Sequence, residues 1–77
     1  MAKANKALLK KLGKHIQQLR MEKGLTQVEL ANAVGKDQQS VQRLEAGGVN
    51  PSFQYLYDIA KGLKVPVCTV VNFLNEK

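Results

Sequence analysis

A chain of 77 residues has room for one small domain, taken here as residues 1–77, and a domain of that size buries only about 60% of its unfolded surface. Twelve Lys and Arg against six Asp and Glu give a formal net charge of +6, so the expected partner is a polyanion, nucleic acid first. The lone Cys68 excludes an internal disulfide or a cysteine-based zinc site and suits a reducing cytosol. The single His15 removes most metal and histidine-dependent catalytic arrangements. The longest apolar run, Val65 to Val71, falls far short of the roughly 20 residues of a membrane-spanning helix. No apolar segment with a cleavage site follows the N-terminal lysines, so a cytoplasmic protein is expected, without a membrane partner.

Leu9, Leu12, Ile16 and Leu19 recur at spacings of three and four residues, the signature of one apolar helix face. That predicts a first helix from Asn5 or Lys6 to Lys23, stopped at Gly24. Thr26-Gln27-Val28-Glu29 fits a capping box, which opens a second helix carrying Val28, Leu30, Ala31 and Val34 and ending at Gly35. Asp37 offers the next N-cap. The third helix spans Gln38 to Ala46, with Val41 and Leu44 inward and Gly47-Gly48 as its stop. Pro51-Ser52 opens a fourth, with Phe53, Leu56, Ile59, Ala60 and Leu63 on one face. Val65-Pro66 begins a short fifth, bearing Val67, Val70, Val71 and Leu74. The expected fold is all-α, with five short helices.

Two short capped helices joined by Gly35-Lys36-Asp37 form a helix-turn-helix unit at about residues 26–46. Ala31 falls where the two helices approach most closely. Around Val41 and Leu44 the third helix exposes Gln38, Gln39, Gln42 and Arg43, where a merely solvated face more often carries Glu and Lys. A glutamine amide presents a donor beside an acceptor, matching the N6/N7 edge of adenine, and arginine matches O6/N7 of guanine. Each good pair discriminates by about 1–3 kcal/mol.

The segment Leu12 to Val71 resembles the Cro/CI-type (XRE) helix-turn-helix family. The resemblance rests on Leu12-Gly13, Ile16, Leu19-Arg20, Gly24-Leu25-Thr26-Gln27, Glu29-Leu30-Ala31, Gly35, Gln38 and Val41. It continues through Arg43-Leu44-Glu45, Gly47, Pro51-Ser52, Leu56, Ile59-Ala60, Leu63 and Val65. The run Asp37-Gln38-Gln39-Ser40-Val41 is similar to the recognition helix of phage repressors in that family. The resemblance implies a lambda-repressor-like domain binding double-stranded DNA, with Gln38, Gln39, Gln42 and Arg43 at the bases. It implies phosphate contacts from Thr26, Gln27, Lys36 and Ser40, and from backbone amides at Gly48, Val49 and Asn50. Arg20 and Glu45 are implied as a structural ion pair that orients the third helix. Asp37 departs from the Ser or Thr of many relatives, and Gly47-Gly48-Val49 lacks the basic residues some of them carry.

Several residues admit a plainer role. Lys3, Lys6, Lys10, Lys11 and Lys14 either track a phosphate backbone or form a solvated face, and Lys36 invites the same two readings. His15 is expected at the surface, and Cys68 as a small apolar or half-exposed side chain. Tyr55 and Tyr57 lie off the apolar stripe, at core edges or on a partner surface. Val67, Val70, Val71, Phe73 and Leu74 exceed what one short helix buries in its own core, so some are expected in a dimer interface.

The sequence therefore reads as a bacterial or phage-type transcriptional regulator, a homodimer on a palindromic operator and nucleoid-associated when bound. A toxin or RNA polymerase is the further partner such a regulator would meet. An antitoxin that regulates its own operator, a restriction-modification controller and a protein-bridging coactivator are the competing roles, the last disfavoured by Gln38-Gln39. With no Walker loop, paired catalytic carboxylates or nucleophile–histidine arrangement, neither enzymatic activity nor a cofactor or metal is expected.

Overall fold

A computed structural model describes residues 5–74, and the side chain of Leu74 lies outside the described set, as does Lys3 of the lysine cluster. The helices are α1 (Lys6–Glu22), α2 (Gln27–Val34), α3 (Gln38–Glu45), α4 (Phe53–Leu63) and α5 (Val67–Val70), followed by a 3-10 turn at Asn72–Leu74. Four of the five starts are fixed by a local side chain. Asn5 Oδ1 accepts the Leu8 N–H at 3.0 Å, and Ser52 Oγ accepts the Tyr55 N–H at 3.0 Å. Thr26 and Glu29 close a reciprocal capping box, and Asp37 Oδ1 accepts the Ser40 N–H at 3.0 Å. Each bond satisfies an amide that a helix start leaves without an intrahelical acceptor.

The fifth helix is shorter than its apolar pattern predicts. Pro66 contributes no side-chain cap, and Val71 has already left helical geometry at φ −98°, ψ 6°. Val67, Thr69, Val70 and Val71 are all β-branched, a composition that weakens a short helix.

Leu12 and Ile16 of α1, Leu30 and Ala31 of α2, and Val41 and Leu44 of α3 meet Ile59, Ala60 and Leu63 of α4 and Val70 of α5 in one core. Val70 is fully buried there. That removes it from the expected dimer surface: its side chain is spent on closing α5 over the core. Val67 and Phe73 are half-buried against the same core, and Val71 is half-buried.

Leu9 of the expected α1 face is only half-buried and outside this core, and two further expected core residues are exposed. Val28 is 46% exposed because it sits two residues from Leu30, about 200° around the helix. Phe53 is 68% exposed; it lies on the α4 stripe but opens the helix, ahead of Tyr55 and Leu56, the first α4 residues packed against the core. His15 departs in the other direction. Half-buried, it places Nε2 2.7 Å from the Thr69 carbonyl oxygen, and its ring centroid is 6.0 Å from that of Phe73. It thus joins α1 to α5 and the turn beyond, a link across 54 residues of sequence.

Gly13 sets how closely α1 approaches α3. A methyl group there would come within 2.5 Å of the Leu44 carbonyl oxygen, so the two backbones nearly touch. Among the described residues, no helix is long and apolar enough to cross a membrane, and no group of three or more His, Cys, Asp or Glu could hold a metal ion.

Candidate nucleic-acid interface

The α2–α3 turn is sharp because Gly35 takes φ 73°, ψ 29°, a left-handed conformation that costs glycine little. Asp37, with φ −92° and ψ 165°, then redirects the chain into α3. On the inner side of α3, Val41 and Leu44 are buried between α1 and α2. The outer side presents Gln38, Gln39, Gln42 and Arg43, all exposed. Gln38 and Gln39 occupy the first turn and Gln42 and Arg43 the last, so the amides and the guanidinium form one polar surface about two turns long. Such a surface matches base edges in a major groove, which admits an α-helix.

Beneath α3 lies a buried polar cluster. Arg20 Nε donates to Glu45 Oε2 at 2.6 Å and Arg20 Nη2 to Glu45 Oε1 at 3.1 Å, a two-point pair. The remaining guanidinium nitrogen, Nη1, donates to the Leu25 carbonyl oxygen at 2.7 Å. Gln27 Nε2 adds a third bond to the carboxylate, reaching Oε1 at 3.0 Å. The two charged side chains are only 10% and 2% exposed. Three elements are therefore locked together: the end of α1, the start of α2 and the end of α3. Sequence reasoning anticipated Arg20 and Glu45 but missed Gln27 as their third member. One of its amide hydrogens is committed inward, leaving the other for the phosphate role expected of it.

The remaining phosphate candidates separate by what their donors already do. Thr26 donates its N–H to Glu29 Oε1 at 2.8 Å and accepts the Glu29 N–H on Oγ1 at 3.1 Å, so its own backbone amide is committed to the box. The Glu29 and Asp37 carboxylates also stand at the N-termini of α2 and α3, where they already complement the helix dipoles. Gly48 corrects the expectation for the loop after α3. Its N–H donates to the Arg43 carbonyl at 2.8 Å, and the Gly47 N–H donates to Leu44, which together close the helix end. Among the described residues, Val49 and Asn50 keep amides with no carbonyl acceptor. Those two are the loop's available donors.

Ser40 and Lys36 converge on a residue left undecided by its sequence position. The Ser40 hydroxyl lies 3.0 Å from the Tyr55 hydroxyl, and Lys36 Nζ stands 5.1 Å from the Tyr55 ring centroid. Tyr55 projects from α4 and so braces both the turn and the first turn of α3. Tyr57 is exposed, with Lys61 Nζ 5.5 Å from its ring centroid, and Cys68 is exposed. Of the interface candidates on the last helix and turn, Val71 and Phe73 line an apolar groove of about 200 Å³ with Leu8, Leu9, Leu12 and Leu56.

Residues 16–70 match the sequence model of a family described as helix-turn-helix. The chain is 43% identical over 67 residues to an uncharacterised HTH-type transcriptional regulator of Sinorhizobium fredii, covering 87% of each chain. Its fold is similar to that of the restriction-modification controller protein C.AhdI from Aeromonas hydrophila, with a TM-score of 0.81 and 33% identity over 83% of this chain and 97% of that one. It is also similar to the controller protein C.Esp1396I, a tetramer in complex with its natural 35 base-pair operator. There the TM-score is 0.79 and the identity 33%, over 87% of this chain and 88% of that one.

Proposed function

Because the chain belongs to the helix-turn-helix family of Cro/CI (XRE) type, and is thus a DNA-binding transcriptional regulator, we propose that it reads a palindromic operator as a homodimer through the glutamine face of α3. Gln38 and Gln39, in the first turn, take base edges, and Gln42 and Arg43 take bases or the adjacent sugar-phosphate. The exposure of these four side chains on a helix anchored from below by the buried Arg20–Glu45–Gln27 cluster carries this reading. An anchored helix holds its amides in register with the bases; a mobile one would spread the same contacts over several geometries. Gln27, Lys36, Ser40, Val49 and Asn50 contribute phosphate contacts, which fix register without reading sequence.

A single short helix reads few base pairs, so pairing of two chains supplies the remaining specificity. Two such helices meet half-sites whose centres lie about 34 Å apart, one turn of B-DNA. Val67, Val71, Phe73 and Leu74 are the candidate contacts between protomers. The operator-bound tetramer of C.Esp1396I supports an assembly of more than one chain on DNA. Bound this way, the protein occludes a promoter or meets RNA polymerase beside it. Selection of bound sequences from a random duplex pool tests the proposal, and enrichment of a two-fold symmetric site with that spacing is expected. Enrichment of a single half-site would contradict the dimer, and recovery of no preferred sequence would contradict base reading.

A further inference from the structure

Beside the loop that follows α3 is an open niche of about 400 Å³, lined by Lys6, Leu9, Lys10 and the stretch Gly47 to Asn50. Lys6 and Lys10 are four residues apart, on one face of α1. The Lys10 stem is held against Gly47: a methyl group on that glycine would lie 2.8 Å from Lys10 Cγ. Val49 and Asn50 share the lining with the lysines, and among the described residues their amides donate to no backbone carbonyl. The niche borders the base-reading helix directly, since the Gly48 N–H bonds the Arg43 carbonyl at 2.8 Å.

We propose that Lys6 and Lys10, with the amides of Val49 and Asn50, form a seat for a backbone phosphate of the bound duplex beside the steps read by α3. The inference rests on the reading of α3 as the base-reading helix and extends the footprint to α1. Two ammonium groups and two uncommitted amides provide positive charge and directional donors from two separate elements. Leu9 and the lysine stems supply apolar lining, and exposed lysines of this kind lay their stems on apolar surface while the ammonium ends stay in water. A contact of this kind carries affinity and salt dependence but no sequence preference.

The test compares wild type with K6Q, K10Q and the double variant on the selected operator and on an unrelated duplex, across a range of salt. K61Q, on α4, serves as a control for loss of one charge. The seat predicts that the double variant lowers the slope of log affinity against log salt by about one per protomer on both duplexes. It also predicts an affinity loss of severalfold at low salt, unchanged preference between the duplexes and little effect from K61Q. An unchanged slope, or an equal fall from K61Q, would overturn the seat. K6Q alone, which leaves the Lys10–Gly47 packing intact, should show part of the slope change; an effect seen only in variants with a lowered melting temperature would also overturn it. Failure of the α3 reading would appear separately, as wild-type protein that binds both duplexes alike.

Discussion

Arg20 and Glu45 stand 25 residues apart in sequence and meet in a buried two-point ion pair that fastens the C-terminal turn of α3 to the end of α1. Neither charge has much water to fall back on, at 10% and 2% side-chain exposure. The Leu25 carbonyl accepts from the third guanidinium nitrogen, and the Gln27 amide adds a further bond to the carboxylate. Among the described residues no buried side-chain nitrogen or oxygen is left without a hydrogen-bond partner. Such a cluster adds little net stability over an apolar substitute, but breaking it strands a charge.

Glu45→Ala removes the carboxylate and leaves the Arg20 guanidinium buried without its counter-charge. The expected cost is about 3–5 kcal/mol, measured as a shift in the urea midpoint with the slope unchanged. DNA affinity should fall with it, because α3 loses its lower anchor. Unaltered unfolding would contradict the account of the cluster.

Gly13→Ala drives a methyl group into the Leu44 and Glu45 carbonyls, which are fixed backbone with no rotamer to yield. Separation of α1 from α3 should cost about 1–3 kcal/mol, despite the gain in helix propensity that alanine brings. Denaturant unfolding measures the difference. A more stable variant would mean that the two backbones have room to spare.

Much of this architecture was readable from sequence because its determinants are local. Thr26 and Glu29, Asp37 and Ser40, and Ser52 and Tyr55 each bond across three residues, so the start of a helix is written within one turn of itself. The apolar spacing of Leu12 and Ile16, or of Ile59 and Leu63, marks the buried side for the same reason. Relationships that depend on which helices become neighbours were not readable in this way. His15 meets Thr69 across 54 residues, and Tyr55 reaches Ser40 across 15. Helical periodicity also overstated the core. Phe53 has the right phase but lies beyond the packed surface, while Val70 has an apolar character shared with its neighbours and alone among the valines of α5 is fully buried.

The Tyr55–Ser40 contact invites a paired test. Tyr55→Phe keeps the ring under Lys36 and deletes only the hydroxyl that meets Ser40. Each of Tyr55→Phe and Ser40→Ala should cost about 0.5–1.5 kcal/mol. The double variant should cost less than their sum, because both remove one bond. Strict additivity in thermal or denaturant unfolding would show that the hydroxyls do not interact.

Lys64 ends α4 at φ 61°, the sole positive φ among the described non-glycine residues. Its side chain is exposed, so removal costs little packing. Lys64→Gly should stabilise the protein by up to about 1 kcal/mol, as relief of left-handed strain outweighs the added freedom of the unfolded chain. Differential scanning calorimetry gives the sign. A lowered melting temperature would mean that Lys64 contributes a contact larger than its strain.

The central claim, that the α3 glutamines read bases, is tested most directly with Gln38→Ala on a panel of operators carrying one base-pair change each. Wild-type protein should lose about 1–3 kcal/mol for a change at a contacted position. Gln38→Ala should bind the parent operator more weakly and become indifferent to the identity of one base pair per half-site, while every other position retains its penalty. Equal weakening across the whole panel, with the full pattern of preferences intact, would place Gln38 outside the base contacts and contradict the reading.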